Sequence, residues 1–119
     1  MKELTVGLDK RSYPIIIRQG LLDEIGNELH RNPFAKRYGL IADDQVAALF
    51  GERLLASLKN NGIEAEIITF AHGEESKNLA TVAELSSKLA RLGFDRKDGL
   101  LALGGGLIGD ISGFVAACY

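Results

Sequence analysis

Leu100-Leu101-Ala102-Leu103-Gly104-Gly105-Gly106-Leu107-Ile108-Gly109-Asp110 is the stretch on which the reading of this chain turns. Gly99 to Leu103 has the length and apolar content of a buried strand. The glycines make a tight turn, and a last helix is expected from about Leu107. Gly104, Gly106 and Gly109 satisfy G-x-G-x-x-G between a strand and a helix, the context in which a dinucleotide diphosphate is held. Glycines let the backbone approach the ligand, and free N–H groups at a helix start attract the anion. The plainer reading is a tight turn, with Gly109 and Gly113 allowing close helix packing.

Working outward, the same strand-loop-helix order recurs upstream. Residues 38–42 and 65–70 read as strands. Residues 21–30 read as a short helix with Leu22, Ile25 and Leu29 on one face, stopped by Asn32-Pro33. Asp43 or Asp44 can cap a helix with the stripe Val46, Phe50, Leu54 and Leu58, ended by Asn60-Asn61-Gly62. Asn78 can cap another, with Val82, Leu85, Leu89 and Leu92 on one face and Gly93 at its end. Two opening strands, Leu4–Leu8 and Tyr13–Arg18, flank a turn at residues 9–12. Strands alternating with helices favour a Rossmann-like, doubly wound, mainly parallel α/β sheet, here with an opening β-hairpin. All five strands are expected in one layer.

The helix expected over residues 107–119 is apolar on every face from Ile111 onward. Such a helix is normally buried on all sides, so it is expected to lie between two domains, the second of which is absent.

Composition bounds the function. At 119 residues, 46% hydrophobic and 25% charged, the chain suits one globular domain. A net charge of −2 and a pI near 5.7 argue against a nucleic-acid or anionic-membrane surface. No apolar run is long enough to span a bilayer and no signal-peptide pattern opens the chain, so a cytoplasmic setting is expected. One cysteine and two histidines make a disulfide framework or a Cys/His zinc site implausible. Cys118 is expected to be a buried small hydrophobe, and His30 and His72 to be surface or packing residues.

Three polar clusters follow strand ends: Asp43-Asp44-Gln45, His72 to Asn78, and the glycine turn with Asp110. Ligands of open parallel sheets bind at that edge. Glu74 and Lys77 can hold opposite polar ends of one ligand, although a solvated surface pair is the commoner outcome for such residues. Asp110 is placed within the first turn of the last helix. There it suits the dipole better than a nearby phosphate, and its better partner is a ribose hydroxyl or an amide.

Two segments resemble a known family. Gly73-Glu74-Glu75-Ser76-Lys77-Asn78-Leu79 is similar to the G-E-x-x-K loop of 3-dehydroquinate synthases. Residues 98–117, with Gly104-Gly105-Gly106-Leu107-Ile108-Gly109-Asp110-Ile111-Ser112-Gly113-Phe114 at their centre, resemble that family's most specific segment. The resemblance covers only the N-terminal, NAD-binding part of the family's longer chain. It implies a cytoplasmic shikimate-pathway enzyme converting 3-deoxy-D-arabino-heptulosonate 7-phosphate to 3-dehydroquinate and phosphate. It also implies a catalytic, unconsumed NAD and a divalent metal, zinc or cobalt. The metal ligands, a glutamate and two histidines, would lie in a helical C-terminal domain not represented here. No catalytic or metal residue is therefore carried over, and the chain alone is expected to be inactive.

Residue by residue, the resemblance puts Asp43 and Gln45 on the adenosine side and Gly73, Glu74 and Lys77 at the ribose. Gly105, Gly106 and Leu107 fall against the diphosphate, with Asp110 near the nicotinamide half. Gln stands where the family more often has Asn, and Leu107 where it has Val. Gly105 is expected to need a positive φ. The partners implied are a sugar phosphate and, for the whole enzyme, a second copy; the fragment is expected to self-associate through residues 107–119 or to have a disordered last turn. Three alternatives stand beside this reading. They are a related sugar-phosphate cyclase, a metal-dependent polyol dehydrogenase, and a non-enzymatic ligand-binding or receiver-like α/β module suggested by Asp43-Asp44.

Overall fold

The computed structural model describes residues 2–7, 13–17 and 19–119, with only the backbone described at Lys2 and Pro14. The turn expected at residues 9–12 and the strand ends at Leu8 and Arg18 lie outside the described residues. Two strands, β1 (Lys2–Val6) and β2 (Tyr13–Ile17), pair antiparallel. After α1 (Leu21–Arg31), the strands β3 (Arg37–Asp43), β4 (Glu64–Phe70) and β5 (Gly99–Ala102) form a parallel sheet in the order β4-β3-β5.

The expectation of one five-stranded layer is corrected: the described residues form two sheets. β1 and β2 satisfy each other's backbone ladder. The run Ile15-Ile16-Ile17 has no alternation that would mark one face for a core. Leu4, Ile15 and Ile17 accordingly stay exposed.

The parallel sheet is doubly wound because its central strand is apolar on both faces. Leu40 and Ile41 point to opposite sides, and both are fully buried. On one side Ile41, Ile68 and Phe70 pack against α4 (Leu79–Arg91) and α5 (Gly106–Cys118) through Leu85, Leu89 and Ile111. On the other, Tyr38 and Leu40 meet Leu29 of α1 and Leu54 and Leu58 of α3 (Glu52–Asn60). α1 approaches α3 closely at Gly26, whose amide donates to Ser57 Oγ at 2.9 Å. A Cβ at Gly26 would run into the Ser57 carbonyl oxygen.

Three local expectations are corrected. The helix after β3 is not regular: α2 (Asp44–Val46) leads through a π-helical turn, Ala47–Gly51, into α3. The wider turn breaks the spacing by four, so Phe50 leaves the stripe while Gly51 comes close to Ile67. Leu92 lies past the end of α4 and is exposed, because Gly93, at φ 77°, turns the chain there. Cys118 is exposed, not buried; α5 buries Ile108, Ile111, Ser112 and Val115 and leaves its other face, with Phe114, open.

Candidate cofactor site

β3, β4 and β5 are parallel, so the loops that follow them share one edge. The crossover from β3 to β4 carries α3 on one face, and from β5 the chain passes to α5 on the other. The sheet order therefore reverses between β3 and β5, and a crevice opens at the carboxyl ends of such strands. The glycine turn and the Asp43 loop stand on its two sides.

The glycine turn is built in three steps. Leu103 N donates to Ile41 O at 2.9 Å, holding the end of β5 against β3. Gly104 then takes φ 142°, a backbone that L side chains rarely adopt, and a Cβ there would collide with the Ile108 side chain. α5 begins at Gly106, and its first intrahelical bond of this region runs from Gly109 N to Gly105 O at 3.2 Å. The amides of Gly106, Leu107 and Ile108 precede that bond, and no side chain caps the helix. A Cβ at Gly105 or Gly106 would meet nothing within 4 Å. An open approach and three unpaired donors at a helix N-terminus fit a diphosphate. Gly105 itself sits at φ −85°, which corrects the expectation of a positive φ: the strained position is Gly104.

Asp110 is corrected too. It is the fifth residue of α5, past the first turn, and its carboxylate accepts from Lys77 Nζ at 3.2 Å. Lys77 is thus held toward α5 and not paired with Glu74, which lies exposed in a single 3-10 turn, Glu74–Ser76. Gly73 enters that turn at φ 105°. The loop closes on itself: Ser76 Oγ donates to Ala71 O and Asn78 Nδ2 to Glu75 O, each at 2.6 Å. A groove of about 340 Å³ beside Lys77 and Asp110 is walled by Val82, Ile111 and Phe114.

On the far side of the crevice, Asp43 Oδ1 accepts from Val46 N at 2.7 Å. Its carboxylate caps α2, and Gln45 is exposed one residue into the helix. Asp44 takes a different partner, His72, whose backbone N and ring Nδ1 lie 3.1 and 2.6 Å from Asp44 Oδ1. The hydrogen bond from the His72 ring holds the Asp44 carboxyl below its ordinary value. The His72–Asp44 tie joins residues 28 apart, and the only sequence signal for it is a His two residues before Glu74.

A larger cavity, about 550 Å³ and lined in part by Phe94, Asp98, Gly99 and Tyr119, opens at the amino end of β5. It is remote from all three polar loops. Among the described residues no group of three His, Cys, Asp or Glu side chains can hold a metal ion. No helix of the described residues is long and apolar enough to cross a membrane.

Comparison with known proteins finds relatives of one named family. The family described as 3-dehydroquinate synthase N-terminal matches residues 67–119. The 3-dehydroquinate synthase of Caulobacter vibrioides is 42% identical over 120 residues, covering 100% of this chain and 32% of that protein. That of Desulforamulus reducens is 41% identical over 119 residues, covering 100% and 33%. The chain thus spans about a third of the length of the curated relatives it matches. A solved 2-deoxy-scyllo-inosose synthase, complexed with carbaglucose-6-phosphate, NAD+ and Co2+, superposes with a TM-score of 0.85. It is 24% identical and shows the shared fold over 99% of this chain and 32% of that one. The 2-epi-5-epi-valiolone synthase of Streptomyces hygroscopicus, solved with NAD+ and Zn2+ bound, gives 0.71 at 30% identity, covering 96% of this chain and 31% of that one. Along its whole length, this chain resembles the 3-dehydroquinate synthases, of which it spans about a third.

Proposed function

We propose that this chain is the NAD-binding part of a 3-dehydroquinate synthase. The observation that carries the reading is the uncapped start of α5, with open space over Gly105 and Gly106, at the reversal of the sheet order. In this reading the amides of Gly106, Leu107 and Ile108 hold the diphosphate. Glu74 and Lys77, led in by Gly73, reach the ribose, and Asp43 and Gln45 face the adenosine. Asp110 orients Lys77 until the ligand takes the ammonium, and stands near the nicotinamide half. NAD, when bound, supplies a reversible hydride acceptor for a substrate alcohol. This chain's own residues bind and orient it.

The substrate is a heptulosonate phosphate, and the metal-holding and most substrate-holding residues belong to the remaining length of the relatives. Zinc or cobalt is the metal of the whole enzyme, which works in the cytoplasm as a homodimer. The open face of α5 with Phe114 is where the 119-residue chain self-associates. A related sugar-phosphate cyclase is the second reading, supported by the solved neighbours.

Titration of NAD into the labelled chain tests the cofactor assignment. Shift changes at Gly105 to Ile108, Glu74 and Lys77 are expected, with affinity of about millimolar because only one wall of the site is present. Changes confined to other regions refute it. Phosphate release by the whole protein from the heptulosonate phosphate, and not from a hexose 6-phosphate, separates the synthase from the other cyclases. The isolated chain is expected to release none, since proximity of cofactor, metal and substrate needs the whole site.

A further inference from the structure

We propose that His72 is a positioning residue for the cofactor site, tying the loop that carries Glu74 and Lys77 to the start of α2 through one carboxylate oxygen of Asp44. The inference rests on the cofactor reading above.

Among the described residues, the loop between β4 and α4 has two side-chain ties to other elements. Lys77 Nζ reaches Asp110 of α5 at 3.2 Å, and His72 reaches Asp44 of α2 through its amide and its ring. α2 follows β3 and α5 follows β5, so the two ties run from the loop to the starts of two different helices. They are not equivalent. A ligand that recruits the Lys77 ammonium must take it from Asp110. The His72–Asp44 connection is then the tie that still fixes where Glu74 and Lys77 stand.

The chemistry suits that task. Asp44 is the first residue of α2, where the helix N-terminus favours a negative charge. Its Oδ1 receives two hydrogen bonds from one residue, which fixes both the backbone and the ring of His72. A neutral imidazole with its proton on Nδ1 makes the same bond as the protonated ring, so the tie does not need the ring's charge. Gly73 follows at φ 105°, so the chain turns immediately after the anchored residue into the turn bearing Glu74.

The test uses amide exchange of the whole chain without ligand, then titration with NAD, in four variants. Asp44→Ala removes the acceptor, and Asp44→Asn keeps an acceptor oxygen. His72→Ala removes the ring donor, and His72→Asn offers an amide N–H at nearly the reach of Nδ1. Asp44→Ala is expected to speed exchange at the His72 amide by about ten-fold. It should weaken NAD by about three-fold or more, with Asp44→Asn within about two-fold of wild type. His72→Ala should weaken NAD by a smaller factor that His72→Asn recovers. Unchanged exchange in Asp44→Ala overturns the tie. Faster exchange with unchanged NAD affinity overturns the positioning role and leaves the cofactor reading standing. If NAD leaves the wild-type loop unperturbed, the cofactor reading itself falls, and the positioning role with it, whatever the exchange shows.

Discussion

Two strand-to-helix turns at the same edge of the sheet solve the same problem in opposite ways. After β3, Asp43 turns its carboxylate back to the Val46 amide at 2.7 Å and satisfies the start of α2 from within. Asn78 does the same for α4, accepting from Thr81 N at 2.9 Å. After β5, Gly105 stands at the capping position with no side chain to offer, and no acid lies in the first turn of α5. Of the three helix starts at this edge, the one that gives up its own cap is the one over open space at the sheet's reversal. A capped N-terminus is a folding device, and an uncapped one leaves its donors for something else.

The largest expected effect separates the strained glycine from the functional one. Gly104→Ala places a methyl group at φ 142° and against Ile108, and should destabilise the chain by roughly 3 kcal/mol in urea unfolding. Stability within about 0.5 kcal/mol of wild type would show that the turn is not held as described.

Next, Gly105→Asp installs at α5 the cap that α2 already has. The position is extended and unobstructed, so the fold should gain about 0.5–1 kcal/mol. NAD binding should fall at least about ten-fold, because the carboxylate occupies the donors and repels a diphosphate. NAD affinity unchanged alongside the stability gain would make this helix start purely structural.

The converse change is Asp43→Ala, which uncaps α2. It should cost about 1 kcal/mol in the same unfolding measurement, with most of the loss recovered by Asp43→Asn. NAD affinity that falls no further than the stability would confine Asp43 to its cap and remove it from the adenosine side of the proposed site.

The smallest effect is in pH. The Asp44 carboxyl, bonded by His72, and the Asp23 carboxyl, bonded and paired by Arg53, both lie below the ordinary 3.8. Each binds its proton less readily folded than unfolded, so its contribution is complete above pH 3.8 and disappears as pH falls through its folded value. Urea midpoints should therefore decline more steeply below pH 4 in wild type than in an Asp23→Asn/Asp44→Asn variant. Parallel declines would show that both carboxylates are free in solution. Both pairs are solvent-exposed, which is why this effect ranks last.

What the residues announced in advance was local. The caps at Asp43 and Asn78, the turns at Gly62 and Gly93, and the strand cores at residues 38–42 and 65–70 follow from neighbours a few positions apart. The glycine string and the G-E-x-x-K loop pointed to the carboxyl edge for the same reason. Errors arose where a distant partner decides. The π turn at 47–51 brings Gly51 against Ile67 of β4, and no periodicity within the helix contains that partner.

Sequence by itself determined the alternation of strands and helices, because apolar spacing and end-capping chemistry act within one element. It also determined that a tight glycine turn follows β5, although which of its glycines takes the positive φ was settled by the packing of Gly104 against Ile108. Tertiary structure alone decided that the hairpin stands apart from the parallel sheet, and that Lys77 turns to Asp110 and His72 to Asp44. Those partners lie 33 and 28 residues away, and only the order β4-β3-β5 brings their loops to one edge.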